Sequence, residues 1–411
     1  MKHFFFFLLL SAYLCSHAQD HNLDYYIGYA KSNSPLLKDY QNQIQANRLD
    51  SEIIRATYRP QVNGISNNFY APVINGYGYD NVITNGGQLS AIVQANKTFV
   101  SKNNLATQFQ SIHLQSEAIG NGSAIAEKDL KKTITAQYIL VYGDMVGMNF
   151  NKEILDLLQK EEIILKNLTQ NNIYKQSDYL TFYVSLQQQK LFYRQSEIQF
   201  KNDNAMLNYL CGIVDTSAIV LTDPDLHISR LPNIYATAFY NQYTIDSLKF
   251  LNQKSVIDYS YKPKLNVFAD AGYVSSLTYE FYKNFGASVG LTLNVPIYDG
   301  KQRQLKYKKL NIAERTRAVY RDFFLKQYDQ QIAQLMQQLQ ATESLINEIN
   351  GQIKYSNTLI EVNGKLLETG NIRITDFILS INTYLNARHL LNQNYISRLQ
   401  IINQIIYWET I

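Results

Sequence analysis

Few residues in this sequence are typed or spaced for chemistry. Beyond the N-terminal leader, His21, His113, His227 and His389 stand far apart, and no HExxH or CxxC spacing gathers them into a metal site. Neither a GxSxG elbow nor a phosphate-cradling glycine loop occurs. Met145 and Met148 could handle a soft metal, but they fall at seam spacing on a helix and read as core. What remains is a pair of aspartates in matched settings, Asp178 in NNIYKQSDYLTFYVSL and Asp376 in GNIRITDFILSINTYL, 198 positions apart. Each opens a predicted helix, where the dipole favours a carboxylate. Such groups attract or repel ions and do not turn over a substrate. The expectation is a non-enzyme without a cofactor.

The matched aspartates belong to a longer repetition. IIRATYRPQVNGISNNFY lies over VIDYSYKPKLNVFADAGY with Pro60 on Pro263, and LSAIVQANKTFVSKNNL lies over ASVGLTLNVPIYDGKQR with Phe99 on Ile297. Three matches in order at nearly constant offset predict a tandem duplication, with residues 19–231 and 232–411 as the two repeats. Each reads as helix, strand, strand, long helix, shorter helix. In the second, Phe285, Ala287, Val289, Leu291, Leu293 and Val295 alternate with small and polar residues. Leu265, Val267, Ala269, Ala271 and Tyr273 do the same before them. Strands of about ten residues with one apolar face fit a transmembrane barrel, and a half-buried soluble hairpin is the competing reading.

From Lys301 to about Glu368 no proline occurs, and Ile332, Leu335, Leu339, Thr342, Ile346, Ile349 and Ile353 advance by three and four, a coiled-coil seam. As one helix that segment would reach roughly 100 Å. Its mate, Ser101 to about Leu168, has a weaker seam through Ile134, Tyr138, Val141, Met145 and Met148, and a GNG at 120–122 that predicts a kink or break. Asn and Gln on the other helix faces are expected to meet water. The shorter helices, about Ile173 to Leu210 and Ile372 to Tyr407, would fold back along the long ones.

The first residues, MKHFFFFLLLSAYLCSHAQD, have a lysine, an apolar run and small residues before Ala18, so residues 1–18 are expected to be a secretory signal peptide. The run is shorter than the roughly 20 residues that span a bilayer. Leu14 is too large for the position before a lipidated Cys15. With the leader removed only Cys211 is left, so no internal disulfide can form. A net charge of +4 over 411 residues gives no basis for nucleic-acid binding. Thirty-two tyrosines against one tryptophan suit strands and membrane interfaces. Four strands cannot close, a bilayer tolerates no open sheet edge, and the smallest membrane barrels use about eight strands. More than one chain must therefore share a barrel. Each strand would hand over to a helical wall at a hinge, with Pro296, Asp299 and Gly300 at the bend.

LTLNVPIYDGKQR, followed by a long helix and LLETGNIRITDFILSINTYLNARHLLNQ, resembles the TolC family of outer-membrane efflux proteins over nearly the whole mature chain. The resemblance implies a mixed α/β membrane protein: a homotrimer whose twelve-stranded β-barrel, four strands per chain, continues into a periplasmic α-helical coiled-coil barrel. It implies a passive duct for efflux or type I secretion, set in outer-membrane lipid, that docks with a periplasmic adaptor and an inner-membrane transporter. By this likeness Asp376, with its mate Asp178, would ring the tunnel entrance as a cation-favouring constriction, with Arg373 a candidate latch. Gly370, Asn371, Asn171 and Asn172 would form the adaptor-docking tip. The sequence departs from the pattern in having Asn172 where Gly370 stands and Leu379 where some members carry a second aspartate. Only about twenty residues (Gly212 to Leu231) link the repeats, so the family's equatorial belt is expected to be reduced. The alternative from another class is an exported coiled-coil structural or adhesive protein.

Overall fold

The computed structural model describes residues 22–80, 86–215, 217, 219–276 and 280–409; the expected signal peptide and Cys15 lie outside them. In chain order the helices are α1 (Leu23–Asn33), α2 (Pro35–Thr57), α3 (Lys102–Gln170), α4 (Gln176–Cys211), α5 (Ala238–Ser260), α6 (Gln302–Glu368) and α7 (Ile374–Ile406). The strands are β1 (Gln61–Ser66), β2 (Phe69–Tyr70), β3 (Gly87–Phe99), β4 (Lys264–Ser275) and β5 (Phe285–Asn294). The first repeat opens on two helices where one was expected. Pro35 has no N–H to give and pushes Ser34 into extended backbone (φ −62°, ψ 114°), which separates α1 from α2. No helix among the described residues is long and apolar enough to cross a membrane.

The chain divides into two compact units. One holds Asp39–Ser123 and Ala238–Phe324. Its sheet is antiparallel in the order β1-β3-β4-β5, with β2 adding to β3. Strands β1 and β4 begin directly after Pro60 and Pro263, the prolines matched in the sequence. The register puts like on like: Ala269 faces Val289, Val267 faces Leu291 and Leu265 faces Leu293, while on the other side Val93 faces Ala271 and Phe99 faces Leu265. The alternation seen in each strand thereby becomes one continuous apolar face, broken by Lys97, Ser66 and Ser275. Nothing among the described residues covers it, and Val289 and Leu291 are 79% and 71% exposed. The opposite face is mainly polar, with Thr98 donating to Asn266 at 3.2 Å and Ser288 to Asp270 at 2.9 Å. Gly290 on that face admits the Phe268 ring, since a β-carbon there would lie 2.4 Å from it.

The other unit holds Met1–Lys38, Ala124–Thr237 and Leu325–Ile411. Its core has three parts. One joins α1, α3, α4 and Leu221, and contains the predicted seam residues Ile134, Tyr138, Val141 and Met145. A second joins Leu335 and Leu339 of α6 to Ile401, Ile402 and Ile405 of α7, and a third gathers α3, α4, α6 and α7. Cys211 is buried in the first, and burial pushes its thiol up to about 12, so it is an inert core residue. Between α4 and Asn233 the linker straps the helices: Tyr138 donates to the Thr222 carbonyl at 2.8 Å, and Tyr328 to that of Pro232 at 2.7 Å.

Two expectations change. Helix α3 runs through the GNG without interruption. Asn121 reaches across to the Ala238 carbonyl (2.8 Å) and Gly122 leaves room for the Tyr40 ring, so the motif serves a close helix contact. Nor do all the amides face water. Asn392, Gln400 and Asn403 of α7 donate to the carbonyls of Gly143, Ala136 and Lys132 on α3 at 2.8–3.0 Å, and Gln189 of α4 donates to that of Asn151 at 3.0 Å. Asn403 and Gln189 are buried. A carboxamide can use the second lone pair of a helical carbonyl, so the seams bind helices side by side without burying charge.

Candidate functional site

The turn between α3 and α4 and the turn between α6 and α7 are built alike. In the first, Asn172 N–H donates to Thr169 (3.0 Å) and Ile173 N–H to Leu168 (2.9 Å); in the second, Gly370 N–H donates to Leu367 (3.1 Å) and Asn371 N–H to Leu366 (2.9 Å). These are the paired bonds of a Schellman stop. Asn172 (φ 60°) and Gly370 (φ 74°) both take the left-handed conformation, which asparagine tolerates and glycine adopts freely. The next helices start alike too, with Asp178 and Asp376 at the third helical position and Lys175 and Arg373 at the caps. Asp178 accepts from the Lys175 N–H at 3.2 Å.

The two turns pack on each other. The Tyr174 hydroxyl donates to the Ile372 carbonyl at 2.9 Å, and Phe182 stacks on Phe377 with centroids 6.3 Å apart. A β-carbon at Gly370 would lie 2.6 Å from Ile173 Cγ2, so this glycine answers both to its φ and to its neighbour. The structure thus brings the Gly370–Asn371 turn against the Asn171–Asn172 turn. Asp376 and Arg373 are exposed on it, and no ion pair involves either among the described residues. The Tyr174 contact could not be read from sequence, because nothing in its spacing marks a tyrosine that reaches the other repeat.

In the unit that carries the sheet, Pro296, Asp299 and Gly300 lie in the irregular stretch between β5 and α6. Gly300 (φ 63°) and Lys301 (φ 69°) are consecutive left-handed residues, so the bend is shared by a lysine that sequence reasoning did not mark. Asp299 accepts from the Arg303 N–H at 2.7 Å, and that bond holds its carboxyl below the usual range. Arg303 also pairs with Asp258 of α5 at 2.5 Å, and Tyr307 donates to the same carboxylate. The matching junction in the first repeat is shorter: β3 ends at Phe99, and Ser101 caps α3 by accepting from Asn104 N–H at 3.2 Å.

Two further features belong to the other unit. One is a cavity of about 690 Å³ walled by α3, α4, α6 and α7. The second is the Asp144 carboxyl of α3, which faces Asp203 of α4. Burial first, and the second carboxyl next, push it up to about 7. Among the described residues, its Oδ2 is buried without a hydrogen-bond partner. Between the ordinary aspartate value near 4 and about 7 the folded chain keeps a proton that the unfolded chain has released, so stability falls as pH rises through that window. Asp144→Asn is expected to raise the melting temperature at pH 8, by the equivalent of about 1–2 kcal/mol after allowance for partial exposure, and to change it little at pH 5. Equal shifts at both pH values would contradict this.

No known family profile matches the sequence, and no match is found among the curated proteins. The fold, however, is a known one. Over 95% of its length the chain superposes on CusC, described through its transmembrane channel formation, at TM-score 0.74 with 12% identity and 92% of that chain covered. The outer-membrane protein VceC of Vibrio cholerae gives 0.73 with 13% identity, covering 94% of this chain and 95% of that one. The open outer-membrane channel MtrE of Neisseria gonorrhoeae gives 0.73 with 11% identity, covering 94% and 88%. The chain has a TolC-type channel fold. At this identity the likeness concerns the fold alone.

Proposed function

We propose that this protein is the outer-membrane duct of a tripartite efflux or type I secretion system. The observation that carries the proposal is the sheet: a continuous uncovered apolar face, a mainly polar reverse face, and free edges at β1 and β5, in a chain with the channel fold. A soluble adhesive hairpin would have to leave that face in water, which disfavours the alternative. In the proposed assembly β5 of one copy pairs with β1 of the next, closing a twelve-stranded barrel of three chains in outer-membrane lipid. Exposed Leu305, Ile312 and Val319 of α6, seven residues apart, would continue the contact below the barrel, where the helices wall a periplasmic tunnel. Tyr261, Tyr307 and their lysine and arginine neighbours near the strand ends suit the membrane–water boundary.

The matched hydrogen bonds of the two helix turns support the internal repeat. The turns at Asn171–Asn172 and Gly370–Asn371 would meet the periplasmic adaptor, which joins the duct to an inner-membrane transporter. Asp376 and Asp178 from three copies would ring the entrance, with Arg373 as a cross-chain latch. The test is disulfide trapping with one cysteine scanned along β1 and another along β5. Within a chain two strands separate these edges, about 14 Å at sheet spacing and beyond disulfide reach. Cross-links should therefore join copies and give a ladder ending at three chains. An absence of cross-links at every register would contradict the shared barrel.

A further inference from the structure

The helix-walled cavity has a chemical character of its own. Phe150, Phe192, Ile346 and Leu385 give it apolar walls, side-chain amides from all four helices edge it, and no Asp or Glu lines it. Its fixed charge is Arg388, whose guanidinium lies 4.9 Å over the Phe150 ring. A guanidinium carries five N–H donors, so contact with one ring leaves donors for an anion. No carboxylate lies within ion-pair distance of Arg388 among the described residues. The nearby Asp223 stands behind two tyrosines, accepting from Tyr142 at 3.1 Å and Tyr395 at 2.7 Å. Burial works against its charge, but the Asp225 N–H and these hydroxyls hold its carboxyl low, so its charge is already engaged. His389, also on the wall, has its Nε2 bonded to the Gln393 amide at 2.8 Å.

We propose that this cavity binds a small amphipathic anion, an aromatic body carrying one sulfonate or carboxylate. The volume falls in the roughly 300–1,000 Å³ range of small-molecule sites, which are typically apolar with a few directed polar groups. The aromatic body lies against Phe150 and Phe192, and the anionic group takes the Arg388 donors that no carboxylate of the described residues uses. A cation of the same shape meets the Arg388 charge on the wall and no carboxylate that lines it. That the ligand is an exported compound resting in transit depends on the duct reading; the binding itself does not.

The experiment is calorimetry on the purified full chain in amphipol, with naphthalene-1-sulfonate as probe and 1-naphthylmethylammonium as its cationic counterpart. The sulfonate should bind once per chain and about tenfold or more tighter than the ammonium. Arg388→Gln should remove that preference, and Arg388→Lys should keep it. Leu385→Trp, which fills the cavity, should abolish binding of both while circular dichroism and melting temperature report an intact chain. Equal affinities for the two probes, or unchanged binding in the Leu385→Trp chain, would overturn the site. Selective binding by a particle that is not a three-chain assembly would remove the transit role and leave the site. Loss of selectivity in an intact three-chain particle would remove the site and leave the duct.

Discussion

Val289→Arg is expected to cut the amount of protein recovered from outer membranes by an order of magnitude or more. Val289 lies near the middle of β5 on the uncovered apolar face, paired with Ala269. An arginine facing lipid at mid-depth costs about 2–4 kcal/mol per chain, and a three-chain barrel would meet that cost three times. Ser288→Arg is the control. It stands one residue away on the polar face beside Asp270, to which Ser288 already donates, so an arginine there meets water and a carboxylate. Membrane fractionation and immunoblotting of both variants check the pair. Equal recovery would mean that the apolar face does not meet lipid.

Gly370→Val should loosen the paired helix turns by about 2–5 kcal/mol. The left-handed φ of 74° costs a side-chain-bearing residue about 1–2 kcal/mol, and crowding a packed contact adds about 1–3 kcal/mol. The crowding is specific, because a β-carbon there would meet Ile173 across the gap. Asn172→Gly, at the matching place in the other turn, should be tolerated, since it keeps the left-handed conformation without adding an atom. Limited proteolysis reads the effect, with new cleavage between Glu368 and Ile374 in the Gly370 variant alone. Wild-type resistance in that variant would show that the Ile173 contact does not hold the turns.

Strand alternation, the α6 seam and the turn residues were legible in the sequence because each depends on local periodicity or local backbone. Pro60 and Pro263 marked the strand starts for the same reason. The cross-strand register, by contrast, came only with the structure, which sets Val267 on Leu291 and Leu265 on Leu293. The GNG misled, because glycine weakens a helix by only about 1 kcal/mol per residue and close packing on Tyr40 outweighs it. Amide side chains misled differently. Composition does not tell a water-facing glutamine from Gln400, which reaches a carbonyl of the neighbouring helix. The cavity was invisible for a further reason, since Phe150, Ile346 and Arg388 come together only when four helices pack. Lys301 gave no sign of its left-handed backbone, because nothing in a lysine marks such a position.

The most direct test of the duct is the mass and shape of the detergent-extracted particle after outer-membrane fractionation, by light scattering and negative-stain imaging. A duct of the proposed kind gives a particle of three chains with a long helical tube beneath a short barrel. A species that is soluble without detergent, or a membrane-bound single chain, would contradict the shared barrel and return the molecule to the class of coiled-coil surface proteins.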